Sequence, residues 1–176
     1  KIPRVHTFEK ENQNMKVMNP VLPGFNPDPS LVRVGDDYYI ATSTFEWFPG
    51  ICIHHSKDLV NWEILSYALT DETKFDIKGM DTACGIWAPN LTYDNGTFYL
   101  IYTIVYTNRN RFKDTHNFMV TASDPKGPWS DPIPLNKTGF DPSLFHDPDG
   151  TKWLVNMLFD YRLDHKRFGG VGVQQY

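Results

Sequence analysis

Thiols are almost missing from this sequence: of 176 residues only Cys52 and Cys84 are cysteines, set apart at no metal-type spacing. That excludes a disulfide scaffold and a cysteine zinc site, and predicts two buried free thiols suited to a reducing compartment. No apolar run reaches the ~20 residues that cross a bilayer, and the opening K-I-P-R-V-H-T-F-E-K lacks the apolar centre of a secretory signal. We therefore expect no membrane partner. The 17 basic residues are scattered and the net charge is -4, which leaves no electrostatic footprint for nucleic acid and points to a neutral or small-molecule partner. Helical periodicity is missing as well, whereas Thr97-Phe-Tyr-Leu-Ile-Tyr-Thr103 reads as a strand of β-branched and aromatic residues.

What is present is a repeat. D-P-S-L-V-R-V-G-D-D-Y-Y-I-A-T, A-P-N-L-T-Y-D-N-G-T-F-Y-L-I-Y and D-P-S-L-F-H-D-P-D-G-T-K-W-L-V begin at 28, 88 and 141, 60 and 53 residues apart. Each opens on X-Pro-small-Leu, passes through a short strand and a polar turn, and enters an aromatic-rich strand. A second element, Ser56, Asp58 and Trp62, returns as Ser123, Asp124 and Trp129. Asp94-Asn95-Gly96 and Asp149-Gly150 are good hairpin formers. Units of roughly 50 residues with about four short strands match β-propeller blades better than a meandering sandwich. The expected fold is all-β: an incomplete propeller of about two and a half blades, with blades over 28–70 and 88–135 and the start of a third.

The first strand of each blade lines a propeller's central channel, so Asp28, Ala88 and Asp141 should converge on one axis. Flanked by Pro27 and Pro29, Asp28 is expected to be held extended, since proline restricts both itself and the residue before it. An Asp-Pro pair is also a common turn, and the aligned recurrence brings the channel-facing reading level with that one without displacing it. Two acids at one mouth suit glycoside hydrolysis, in which one carboxyl activates water and another protonates the leaving oxygen.

N-P-V-L-P-G-F-N-P-D-P-S (19–30), S-T-F-E-W-F-P-G (43–50), G-I-W-A-P-N-L (85–91) and G-F-D-P-S-L-F-H-D-P-D-G (139–150) together resemble the N-terminal part of glycoside hydrolase family 43, most closely its β-xylosidases. The resemblance implies a five-bladed propeller that hydrolyses with inversion and removes single sugars from chain ends. It implies that Asp28 is the general base and that Asp141 is the second aspartate, orienting the acid and raising its pKa by like charge. Phe45 and Trp87 match aromatics walling the subsite of the released sugar, although ordinary core packing would use the same residue types.

The sequence departs from the family pattern: the later blades and the additional C-terminal β-sandwich common among these xylosidases have no counterpart in it, and a catalytic residue is missing. The family's general acid is a glutamate, and none occurs here after Glu72; its motif is expected beyond Tyr176, so a fragment is favoured over a natural short protein. Glu46 matches no catalytic position. Asp147 and Asp149 are expected in a hairpin turn, and His54 and His55, on opposite strand faces, cannot chelate together. No metal or cofactor is expected; calcium is compatible with a complete propeller but unsupported here. Residues 1–18 read as a leader or vector-derived segment, with Met15 a natural start, and 19–176 as the propeller portion. The sequons at Asn90, Asn95 and Asn136 read as chance. The expected activity is an exo-acting inverting β-1,4-xylosidase on xylo-oligosaccharide or arabinoxylan-derived substrate, with α-L-arabinofuranosidase as a second activity; the alternative is a non-catalytic carbohydrate-binding propeller. A cytoplasmic location is favoured over a secreted one, and a homo-oligomer is compatible with the sequence.

Overall fold

A computed structural model describes residues 17–109 and 113–176. Met15 and nearly all of the expected leader lie outside the described residues. Among those described, every regular element is a strand, and the strands form three antiparallel sheets that follow one another along the chain. Sheet 1 holds β1 (Ser30–Val34), β2 (Asp37–Thr42), β3 (Gly50–Ser56) and β4 (Glu63–Leu69). Sheet 2 holds β5 (Gly85–Asp94), β6 (Thr97–Thr107), β7 (Asp114–Ala122) and β8 (Ile133–Pro134). Sheet 3 holds β9 (Gly139–His146), β10 (Lys152–Phe159) and β11 (Phe168–Gln175). Within each sheet the spatial order equals the chain order. This is the up-and-down blade of a propeller, in two four-stranded copies and a three-stranded third, with the second beginning at Gly85 rather than at 88.

Tight turns set the register. Asn95 and Gly96, both at positive φ (46° and 81°), join β5 to β6, as the Asn-Gly pair requires for a two-residue hairpin. Asp147 to Thr151 closes the β9–β10 hairpin, with Asp147 N–H donating to the Thr151 carbonyl at 2.8 Å, so this acidic stretch is a turn as expected.

Period-two alternation explains why the sheets stack. On β6, Leu100, Tyr102 and Ile104 pack with Ile51, Ile53 and Leu69 of sheet 1. Ile101, on the opposite face, packs with Leu144 and Leu154 of sheet 3. Sheet 2 is thus the middle of a three-layer stack, and β6 is buried on both faces. Cys52 and Cys84 are buried free thiols, as the composition predicts. His54 is buried, and His55 lies 2.6 Å from Asp37 through Nε2, so both are engaged in packing sheet 1.

Polar links tie each sheet to the next at one equivalent register position. Ser30 Oγ accepts the Leu91 N–H at 3.0 Å, and Asn90 Oδ1 accepts the Leu144 N–H at 2.9 Å. The Asn90 side chain is therefore held between sheets, which removes it as a sugar acceptor. Replacing Asn90 with Ala leaves a partly buried N–H unpaired, and unfolding free energy of the complete protein should drop by about 1–3 kcal/mol. Denaturant melts of wild type and Asn90→Ala measure this; equal midpoints and slopes would rule out a structural contribution from the link.

Candidate active site

The site is built on an irregularity that all three sheets share. In sheet 2, Trp87 pairs with Thr103 and Asn90 with Ile101, so Ala88 and Pro89 together face Tyr102. In sheet 3, Phe140 pairs with Met157 and Ser143 with Val155, so Asp141 and Pro142 face Asn156. In sheet 1, Ser30 pairs with Ala41 while Ser43 N–H donates to the Pro27 carbonyl at 3.0 Å, leaving Asp28 and Pro29 opposite Thr42. Each is a β-bulge, two residues against one, and bulges turn a side chain away from the direction that the pleat would give it.

The backbone corrects one expectation. Asp28, Ala88 and Asp141 are not extended; their φ angles are +51°, +38° and +54°. The preference of a pre-proline residue for extended backbone gives way to the bulge, whose first position absorbs the extra residue by turning to positive φ. Such conformations cost roughly 1–3 kcal/mol each in residues other than glycine and cluster at functional sites. Proline suits the second position because a residue outside the ladder loses nothing by having no N–H.

Both carboxylates stand at the solvent-accessible rim of this inner edge. The Asp141 carboxyl is pushed above its ordinary pKa, first by the protein packed around it and then by the negative charge of Asp28. Asp141 keeps solvent-exposed surface while protein packs around part of its carboxyl, so partial exposure and desolvation coexist. Asp28 Oδ2 accepts a 2.6 Å hydrogen bond from Ser43 Oγ.

An aromatic row runs beside the acids. Ring centroids of Phe25 and Phe45 are 5.8 Å apart, Phe45 and Trp87 6.0 Å, and Trp87 and Phe140 5.7 Å in a T-shaped contact. Phe45 and Trp87 are thus neighbours. Phe25 and Phe140 extend the row and were not singled out, though both lie within the Asp-Pro motifs. Phe45 is held by reciprocal backbone bonds with Ile86, at 3.0 and 2.9 Å. That approach requires glycine at 85: a Cβ there would sit 2.2 Å from the Phe45 carbonyl oxygen, at φ +88°. Trp87 Nε1–H donates to the Ala83 carbonyl at 3.0 Å, and Lys113 Nζ lies 5.0 Å from the Trp87 ring centroid. Glu46 accepts the Ala83 N–H at 3.1 Å and so braces the loop before Trp87.

The family model for glycosyl hydrolases family 43 matches residues 17–176. The chain belongs to this family. A xylosidase/arabinosidase of Humicola insolens is 56% identical over 161 residues, covering 92% of this chain and 30% of that protein. A beta-xylosidase of Bacillus subtilis is 56% identical over 162 residues, with the same coverage of 92% and 30%. Among solved structures, xylan beta-1,4-xylosidase from Bacillus halodurans superposes with a TM-score of 0.89 at 61% identity, over 92% of this chain and 31% of that one. The chain therefore spans about a third of the length of these family 43 relatives, and its three sheets are an incomplete propeller.

Charge coupling between the two family 43 aspartates can be read directly. Because Asp28 raises the pKa of Asp141, the Asp28→Asn variant should titrate Asp141 at lower pH than wild type. Carboxyl ¹³C NMR titration follows this, and an unchanged or higher midpoint would mean that the two groups do not sense each other.

Proposed function

We propose that the complete protein is a glycosidase that removes xylose from the non-reducing ends of β-1,4-xylo-oligosaccharides with inversion, and that it also accepts terminal α-L-arabinofuranosyl groups. The observation that carries this reading is the pair of carboxylates, Asp28 and Asp141, on equivalent strained bulges beside an aromatic row. Neighbouring family members described as xylosidases and arabinosidases support the substrate class.

In this reading Asp28, ionised, takes a proton from water as the water oxygen attacks the anomeric carbon from the face opposite the leaving group. The bond to the leaving oxygen breaks as that oxygen is protonated by a glutamic acid lying outside these 176 residues. Asp141 orients that acid and its negative charge keeps the acid protonated until it is needed. The faces of Phe45 and Trp87 pack on the C–H face of the sugar ring, excluding water from all but the attacking position. Xylopyranose and arabinofuranose present similar hydroxyls to such a wall, which accounts for dual activity.

Asp28→Asn in the complete protein should lower kcat on an aryl β-xyloside by roughly 10²–10⁴-fold, the range for loss of a positioned general base. The same assay on an aryl α-L-arabinofuranoside ranks the two substrates. Wild-type activity that survives the substitution would overturn the assignment of the base. Sugar binding by calorimetry with no turnover in the wild type would instead make this a carbohydrate-binding module.

A further inference from the structure

Ser43 follows β2 and is buried, only 1% exposed, yet its hydroxyl lies at the meeting point of two sheets. Ala88 N–H donates to Ser43 Oγ at 2.8 Å, and Ser43 Oγ donates to Asp28 Oδ2 at 2.6 Å. Its own N–H is bonded to the Pro27 carbonyl, immediately before the Asp28 bulge. Ala88 holds in sheet 2 the bulge position that Asp28 holds in sheet 1.

The polarity of this chain is forced by its chemistry. A backbone amide can only donate, so it occupies a lone pair of the Ser43 oxygen and leaves the single hydroxyl proton to point elsewhere. The carboxylate of Asp28 is the acceptor in reach, and a hydrogen bond to an ionised acceptor is short and strong, in keeping with the 2.6 Å separation. One carboxylate oxygen is thereby fixed, and the direction of the other with it. The amide at the far end belongs to the residue after Trp87, so the same hydroxyl sets the acid of sheet 1 in register with the aromatic wall of sheet 2.

We infer that Ser43 is a positioning residue for the water-activating carboxylate, holding Asp28 at a defined angle to the sugar bound against Trp87. This rests on the reading of Asp28 as the general base. A carboxylate free to rotate would still bind substrate through the unchanged aromatic row but would meet the attacking water in a less productive geometry. The signature is a loss in kcat with little change in KM.

The test compares wild type, Ser43→Ala, Ser43→Thr and Asp28→Asn of the complete protein on an aryl β-xyloside, with melting temperatures measured alongside. Ser43→Ala should lower kcat by about 10–100-fold, the order expected from misplacing a reacting group, while KM stays within about twofold. Ser43→Thr restores the hydroxyl and should recover most of the activity; threonine already stands at the equivalent register position, Thr103, in sheet 2. If Ser43→Ala does not fold, Ser43→Cys, close in shape but a weaker donor, is read in its place. Full kcat in Ser43→Ala with an inactive Asp28→Asn would overturn the role of Ser43 alone. Equal losses in the Ala and Thr variants, or a loss confined to KM, would reduce Ser43 to packing and overturn it as well. An active Asp28→Asn would instead remove the reading of the base on which the inference depends.

Discussion

The constraint on which the inner edge of this molecule depends is the bulge at each Xaa-Pro pair. An antiparallel ladder has no place for an extra residue, so the chain turns through positive φ at Asp28, Ala88 and Asp141 to accommodate it. The turn exposes one side chain toward the channel and frees one backbone amide from the ladder. Both by-products are used: two of the side chains are carboxylates, and the Ala88 amide is taken up by Ser43. Local strain is offset by the packing of a middle sheet buried on both faces, which leaves the bulges little room to relax.

Around that inner edge, shape is transmitted from sheet to sheet through backbone contacts more than through side-chain salt bridges. The Phe45–Ile86 bridge brings a loop of sheet 1 onto the start of β5, and glycine at 85 is what lets the two backbones meet. Phe45 and Trp87 are consequently fixed relative to each other by the main chain. Exposed ion pairs such as Lys78–Glu72 contribute little to such positioning.

Much of this was legible in the sequence because a repeated motif reports equivalence without any knowledge of coordinates. The alignment of Asp28 with Ala88 and Asp141 located the inner strands, and the β-branched and aromatic run along 97–103 identified a strand, though not its burial on both faces. Backbone conformation at Asp28 was not legible: proline's influence on its predecessor is a local preference, and the ladder that overrode it is formed with residues 13 or more positions away. Ser43 escaped notice for a related reason. It opens the quoted 43–50 motif, but nothing local marks its hydroxyl, whose importance arises only when Ala88, 45 residues later, comes to lie beside it. Phe140 stood within a quoted motif, but nothing in one dimension distinguishes a ring lining a site from one filling a core.

The links through Ser30 and Asn90 have a direction. In each, a side chain of the earlier sheet receives an amide of the later one, from the leucine that follows the next Xaa-Pro-small triplet. Sheet 2 thus carries both a socket for its successor, at Asn90, and a plug for its predecessor, at Leu91, encoded in the same four residues. Such a grammar does not depend on which sheet comes next, only that it begins with the same phrase. A gene for this architecture could grow by duplicating whole units, with each new joint functional from the start, while individual units diverged toward chemistry at their inner edge.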